Sequence, residues 1–64
     1  MDGALLEGLL EGEKEEVKKK VKNLVKKYPA LEARDVGLLI IEANKKDGKL
    51  ETLASLLSEL KKRN

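Results

Sequence analysis

A chain of 64 residues, 41% of them charged, with 14 basic and 12 acidic side chains and neither cysteine nor histidine, leaves few chemical options open. Disulfides are impossible, structural zinc lacks its ligands, and a net charge of +2 is too small to imply a nucleic-acid or membrane partner by itself. Stability at this size must then come from packed aliphatic side chains, which 13 Leu, four Val and two Ile supply.

Asp2 is placed to cap a first helix expected over 4–11. Its body repeats a four-residue unit, Leu5-Leu6-Glu7-Gly8 and Leu9-Leu10-Glu11-Gly12, which stacks Leu5 over Leu9 and Leu6 over Leu10 in one apolar stripe. Gly12 reads as the terminator. Gly8, inside the helix, reads as a point where another backbone comes too close for a Cβ. Whether the stripe is buried within the monomer or left for a partner stays open.

A second helix is expected over 13–28, with Val17, Val21, Leu24, Val25 and Tyr28 at i, i+4, i+7, i+8 and i+11. Glu13, Glu15 and Glu16 crowd its first turn and Lys26 and Lys27 its last, each complementing the helix dipole. Glu15 and Lys19, and Glu16 and Lys20, stand at the favoured i,i+4 spacing. Pro29 stops it.

The third helix, expected over 31–46, is the one the others are arranged around. Val36-Gly37-Leu38-Leu39-Ile40-Ile41 is a run of six residues without a polar side chain, which predicts a helix with no solvent-facing side. A strand reading fails because no second candidate exists to pair with it. Gly37 again suggests close helix approach. Asp47-Gly48 supplies a turn, and a last helix over 49–62 should turn Leu50, Leu53, Ala54, Leu57 and Leu60 inward, with Leu56 on the flank. The fold class expected is all-α: one compact four-helix domain over 1–64, its short first helix leading in and its third largely buried. Val36, Leu39, Ile40, Leu53 and Leu57 are its expected core, and Ile40→Asp is expected to unfold it.

Catalysis finds no support. Ser55 and Ser58 lie on a helix with no general base beside them, so no enzyme activity, catalytic residue, cofactor or metal is expected. The stretch Asn44–Leu50 echoes a calcium loop, but placing Gly48 sixth puts Ala43, Lys45 and Ala54 where oxygen ligands are needed. A turn is the reading. Seven lysines fall between Lys14 and Lys27, and a face through Lys18, Lys22 and Lys26 has the charge to follow phosphates. No base-stacking aromatic or Arg accompanies them, and the acidic first sixteen residues are expected to lie alongside. No apolar run approaches the length of a membrane span, and Met1-Asp2-Gly3 lacks the basic start of a secretory leader. A soluble protein, cytoplasmic when expressed recombinantly, is the default. Leu38, Ile41, Leu56 and the Leu5/Leu6/Leu9/Leu10 stripe are expected to be buried around the central helix; the alternative is that they exceed what one small core can hide, and surplus of that kind would suit a protein partner or self-association.

From Val21 onward the chain resembles a CUE or UBA-type domain, a three-helix fold that binds ubiquitin. Lys27-Tyr28-Pro29 stands where that family ends its first helix with Met-Phe-Pro, and Leu56-Leu57 where it has a dileucine near the end of its third. Val36 falls at the aliphatic position that opens the second helix. The resemblance implies a partner-binding patch of Tyr28, Pro29, Leu56 and Leu57. The chain as a whole looks even more like a computationally designed miniprotein: charges sorted by helix dipole, Leu-dominated helices, Gly terminators, and no His, Cys, Trp or Phe. That resemblance implies a scaffold whose role is to fold stably, with a small interaction module as the alternative.

Overall fold

The computed structural model describes residues 1–63. Four helices follow in order, α1 (Gly3–Leu10), α2 (Glu15–Lys27), α3 (Ala33–Ala43) and α4 (Leu50–Lys62), and the protein is all-α. Local chemistry sets each boundary. Asp2, in extended backbone, accepts the Ala4 N–H at 3.2 Å and starts α1. Gly12, at φ +87°, turns the chain after it, a left-handed conformation suited to glycine. Lys14 then takes extended backbone as the N-cap of α2, so Glu13 lies outside the helix rather than in its first turn. Glu15 and Glu16 open α2, Lys26 and Lys27 close it, and Tyr28 donates its N–H to the Leu24 carbonyl at 2.8 Å before Pro29.

α3 is shorter at both ends than its apolar pattern suggests. Glu32 is extended, and its N–H is taken by the Asp35 carboxylate at 2.8 Å, the back-reach of a capping box. Leu31 is thereby kept out of the helix and dropped into the core, 2% exposed. At the other end the Ile40 carbonyl accepts twice from Asn44, from its N–H at 3.2 Å and from Nδ2 at 2.8 Å, which closes the last turn.

α3 packs against each of the other three helices, so the central position expected for it holds. The buried core is Leu10 from α1, Val17, Val21 and Leu24 from α2, Leu31, Val36 and Leu39 from α3 and its lead-in, and Ala54 from α4. Of the expected centre, Val36 and Leu39 are fully buried, whereas Ile40, Leu53 and Leu57 are half-buried around it. The expectation that the apolar run has no solvent-facing side is corrected: Leu38 is 47% and Ile41 61% exposed. Successive helical residues turn by about 100°, and Leu38 and Ile41 point away from the arc occupied by Val36 and Leu39. Leu60, expected inward, is likewise half-exposed, while Ser58 takes a buried place on α4. The α1 stripe divides, with Leu10 buried, Leu6 and Leu9 half-buried and Leu5 exposed.

The glycines are corrected too. A Cβ on Gly8 or Gly37 would meet nothing within 4 Å, so neither marks a close approach. Gly48 does: a Cβ there would overlap the Glu42 carbonyl oxygen and stand 3.1 Å from its carbon.

Candidate functional site

Two surfaces on α4 gather the side chains of interest, and the joints that hold α4 in place decide what each presents. At the α2–α4 joint, Glu51 Oε1 pairs with the Lys27 ammonium and accepts from the Tyr28 hydroxyl at 3.4 Å. The same ammonium lies 5.6 Å from the centre of the Tyr28 ring. The Glu51 carboxylate holds Lys27 above its ordinary 10.5. At the α3–α4 turn, Glu42 accepts the Lys49 N–H at 2.9 Å and pairs with Lys45 at 3.2 Å, which lowers its carboxyl below the ordinary 4.5. At the far end, Lys61 Nζ lies 3.1 Å from Asp35 Oδ2 and 3.3 Å from Glu32 Oε1, and Asp35 raises the Lys61 ammonium above 10.5. Asp35 is only 4% exposed, and its Oδ2 meets both the Glu32 N–H and the Lys61 ammonium in place of water.

Held this way, the outer face of α4 forms a shallow hollow lined by Tyr28, Glu51, Thr52, Ser55, Leu56 and Glu59. Tyr28 and Leu56, two of the four candidate residues, are thus brought together from different elements. Pro29 is exposed on the loop and does not line the hollow. Leu57 turns to another flank of α4, where it lines a groove with Arg34, Asp35, Leu38, Leu60 and Lys61. Spacing alone did not show this groove. Leu38 meets Leu57 and Leu60 through the way α3 and α4 cross, which the spacing within either helix does not carry. The Asp35–Lys61 pair was also missed, though the Glu32–Asp35 spacing is that of a capping box.

The lysine-rich face of α2 is partly answered from within the molecule. Glu7 of α1 pairs with Lys22, which holds the Glu7 carboxyl below 4.5, and Lys18 lies 3.5 Å from Glu15. Of the acidic first sixteen residues, Glu7 reaches α2 from α1, whereas Glu15 meets Lys18 within α2 itself. The i,i+4 pairs expected of Glu15 with Lys19 and Glu16 with Lys20 are replaced by this i,i+3 contact among the ion pairs of the described residues. Among those residues no group of three potential metal ligands converges, and no helix is long and apolar enough to cross a membrane. Comparison of the chain with known protein families, characterised proteins and solved structures returns no match.

Proposed function

We propose that this chain is a small helical interaction module that docks a protein partner through the outer face of α4. The observation that carries this reading is Leu56, 55% exposed and sharing one hollow with the half-buried ring of Tyr28. A lone exposed leucine needs no explanation. Here it is joined across the hollow by Tyr28, an aromatic from a second element. Contiguous apolar surface of this kind suits a partner. Ubiquitin is the partner to try first, because Tyr28 and Leu56 are among the residues that carry the resemblance to CUE and UBA-type domains. Lys27 and Tyr28 stand in place of that family's Met and Phe, and both are engaged with Glu51, so the contact surface differs from the family's. The test is an amide-resolved NMR titration with ubiquitin. Shifts clustered at Tyr28–Leu31 and Leu56–Leu60 support the module; a dispersed spectrum that ignores ubiquitin removes that partner.

A second reading is a designed scaffold whose role is the fold itself. It is supported by the helix-dipole ordering of charge on α2 and α4 and by the pairing of the buried polar side chains, none of which lacks a hydrogen-bond partner among the described residues. On that reading, substitutions at Leu56 and Leu60 leave every property but surface polarity unchanged.

A further inference from the structure

Three aspartates occur in the chain, and two of them, Asp2 and Asp47, are followed by glycine. That pairing has a chemistry of its own. The backbone nitrogen of the glycine attacks the aspartate Cγ and closes a succinimide ring, while the carboxyl hydroxyl and the nitrogen's proton leave together as water. Water then reopens the ring at either carbonyl. Opening at the former side-chain carbonyl restores aspartate. Opening at the main-chain carbonyl leaves isoaspartate, whose backbone runs through Cβ and Cγ and whose α-carboxylate is free. Glycine favours the first step, because no Cβ shields its nitrogen and its backbone turns freely.

The structure tells the three aspartates apart. Asp35 is 4% exposed, its carboxylate is taken by the Glu32 N–H and Lys61, and β-branched Val36 follows it. Asp2 engages the Ala4 N–H at 3.2 Å as the cap of α1, and Gly3 is already helical. Asp47 is exposed in the turn between α3 and α4, and its carboxylate enters none of the hydrogen bonds or ion pairs among the described residues. The Gly48 nitrogen donates to the Lys45 carbonyl at 3.4 Å, beyond the usual span for such a bond. Exposed turns of this kind open locally far more often than the molecule unfolds. Residue 48 also cannot take a shielding side chain without moving the turn, since the Glu42 carbonyl stands where a Cβ would be. We propose that Asp47–Gly48 is a site of spontaneous backbone isomerisation in the folded protein, and that isoaspartate there releases the start of α4.

Isoaspartate adds one carbon to the main chain between residues 47 and 48. The turn has little slack for it. Gly48 lies against the Glu42 carbonyl, and the next N–H, that of Lys49, is held by the Glu42 carboxylate at 2.9 Å. Lys49 is the N-cap of α4 and makes no side-chain cap, so this contact is what fastens the first turn of α4 to α3. A longer backbone carries the Lys49 N–H away from Glu42. The modification thus acts on the seating of α4 and does not depend on what the Tyr28–Leu56 hollow binds.

The test is incubation of the whole chain for weeks at neutral pH and body temperature. Cleavage with a glutamate-specific protease then isolates residues 1–7 and 43–51 for chromatography and fragmentation mass spectrometry. Expected are a 43–51 peptide of unchanged mass with isoaspartate at 47, a smaller succinimide fraction one water lighter, and less isomerisation at Asp2. Asp47→Glu, whose longer side chain must close a larger ring, should leave residue 47 unmodified. The isolated isoaspartyl protein should show a lower urea midpoint than fresh protein. Its Glu42 carboxyl, held below 4.5 chiefly by the Lys49 N–H, should titrate closer to 4.5. Aged Asp47→Glu should keep both properties. An unmodified 43–51 peptide, isoaspartate that forms only when urea unfolds the chain, or faster reaction at Asp2 overturns the site. Isoaspartate at 47 with the midpoint and the Glu42 titration unchanged overturns the release of α4.

Discussion

Gly48 and Gly12 hold places that disfavour any side chain, for different reasons. At Gly48 the obstacle is the Glu42 carbonyl, a backbone atom with nowhere to retreat; at Gly12 it is the left-handed backbone itself. Gly12→Ala is expected to cost about 1–2 kcal/mol, and Gly48→Ala more, because the α3–α4 turn must shift to admit the methyl. Gly8→Ala and Gly37→Ala should do the reverse, each raising stability by about 0.5–1 kcal/mol through helix propensity at sites with open space. Urea midpoints of the four variants check the set, and a destabilised Gly8→Ala would contradict the open surroundings described for it. At Asp35 the expected order follows from what each change strands. Lys61→Met leaves a buried carboxylate with the Glu32 N–H alone, whereas Asp35→Asn keeps an acceptor for that N–H without the charge. Lys61→Met should therefore lower the urea midpoint further than Asp35→Asn.

Helix α1 is the element whose attachment is simplest to interrogate, since Leu10 is its one fully buried side chain. Leu10→Ala should cost about 2–5 kcal/mol. Hydrogen exchange should show Gly3–Leu10 losing protection first while α2, α3 and α4 keep theirs; uniform loss would mean α1 is inseparable from the rest. The four helices themselves were legible because their apolar residues recur at helical spacing, and Val17, Val21 and Leu24 are buried as that spacing requires. The outward side of α3 was not legible. In Val36–Ile41 no polar residue marks it, so Leu38 and Ile41 look the same as Val36 and Leu39 until the neighbours are placed. On α4 the obstacle was the opposite one. Polar Ser58 and largely covered Lys61 take inward positions, Lys61 because its partner Asp35 waits on another helix, while Leu56 and Leu60 are left outside. The Tyr28–Leu56 hollow was half legible: the two residues were picked out by resemblance, but Glu51 joins α2 to α4 and places them on one surface, and Leu57 is turned elsewhere.

Over the whole molecule the perturbed charges define a pH range. Glu7 and Glu42 titrate below 4.5 in the folded chain, so what they contribute is present above 4.5 and lost as pH falls through their lowered values. Lys27 and Lys61 titrate above 10.5, so their contribution is present below 10.5 and lost as pH rises through their raised values. With no histidine to titrate between, the urea midpoint should be level from about pH 5 to about pH 10 and fall on both sides. Molar salt should flatten both shoulders, since most of these pairs face solvent. A sloping midpoint near neutrality would contradict this assignment of charges. The placing of Tyr28 has one more consequence. It is the sole aromatic residue of the chain, and its hydroxyl and ring both rest against the Glu51–Lys27 pair that joins α2 to α4. The protein therefore carries a built-in optical reporter, whose ultraviolet emission follows the junction of α2 with α4. An unlabelled sample can thus report whether a ligand has reached the outer face of α4 or settled somewhere else.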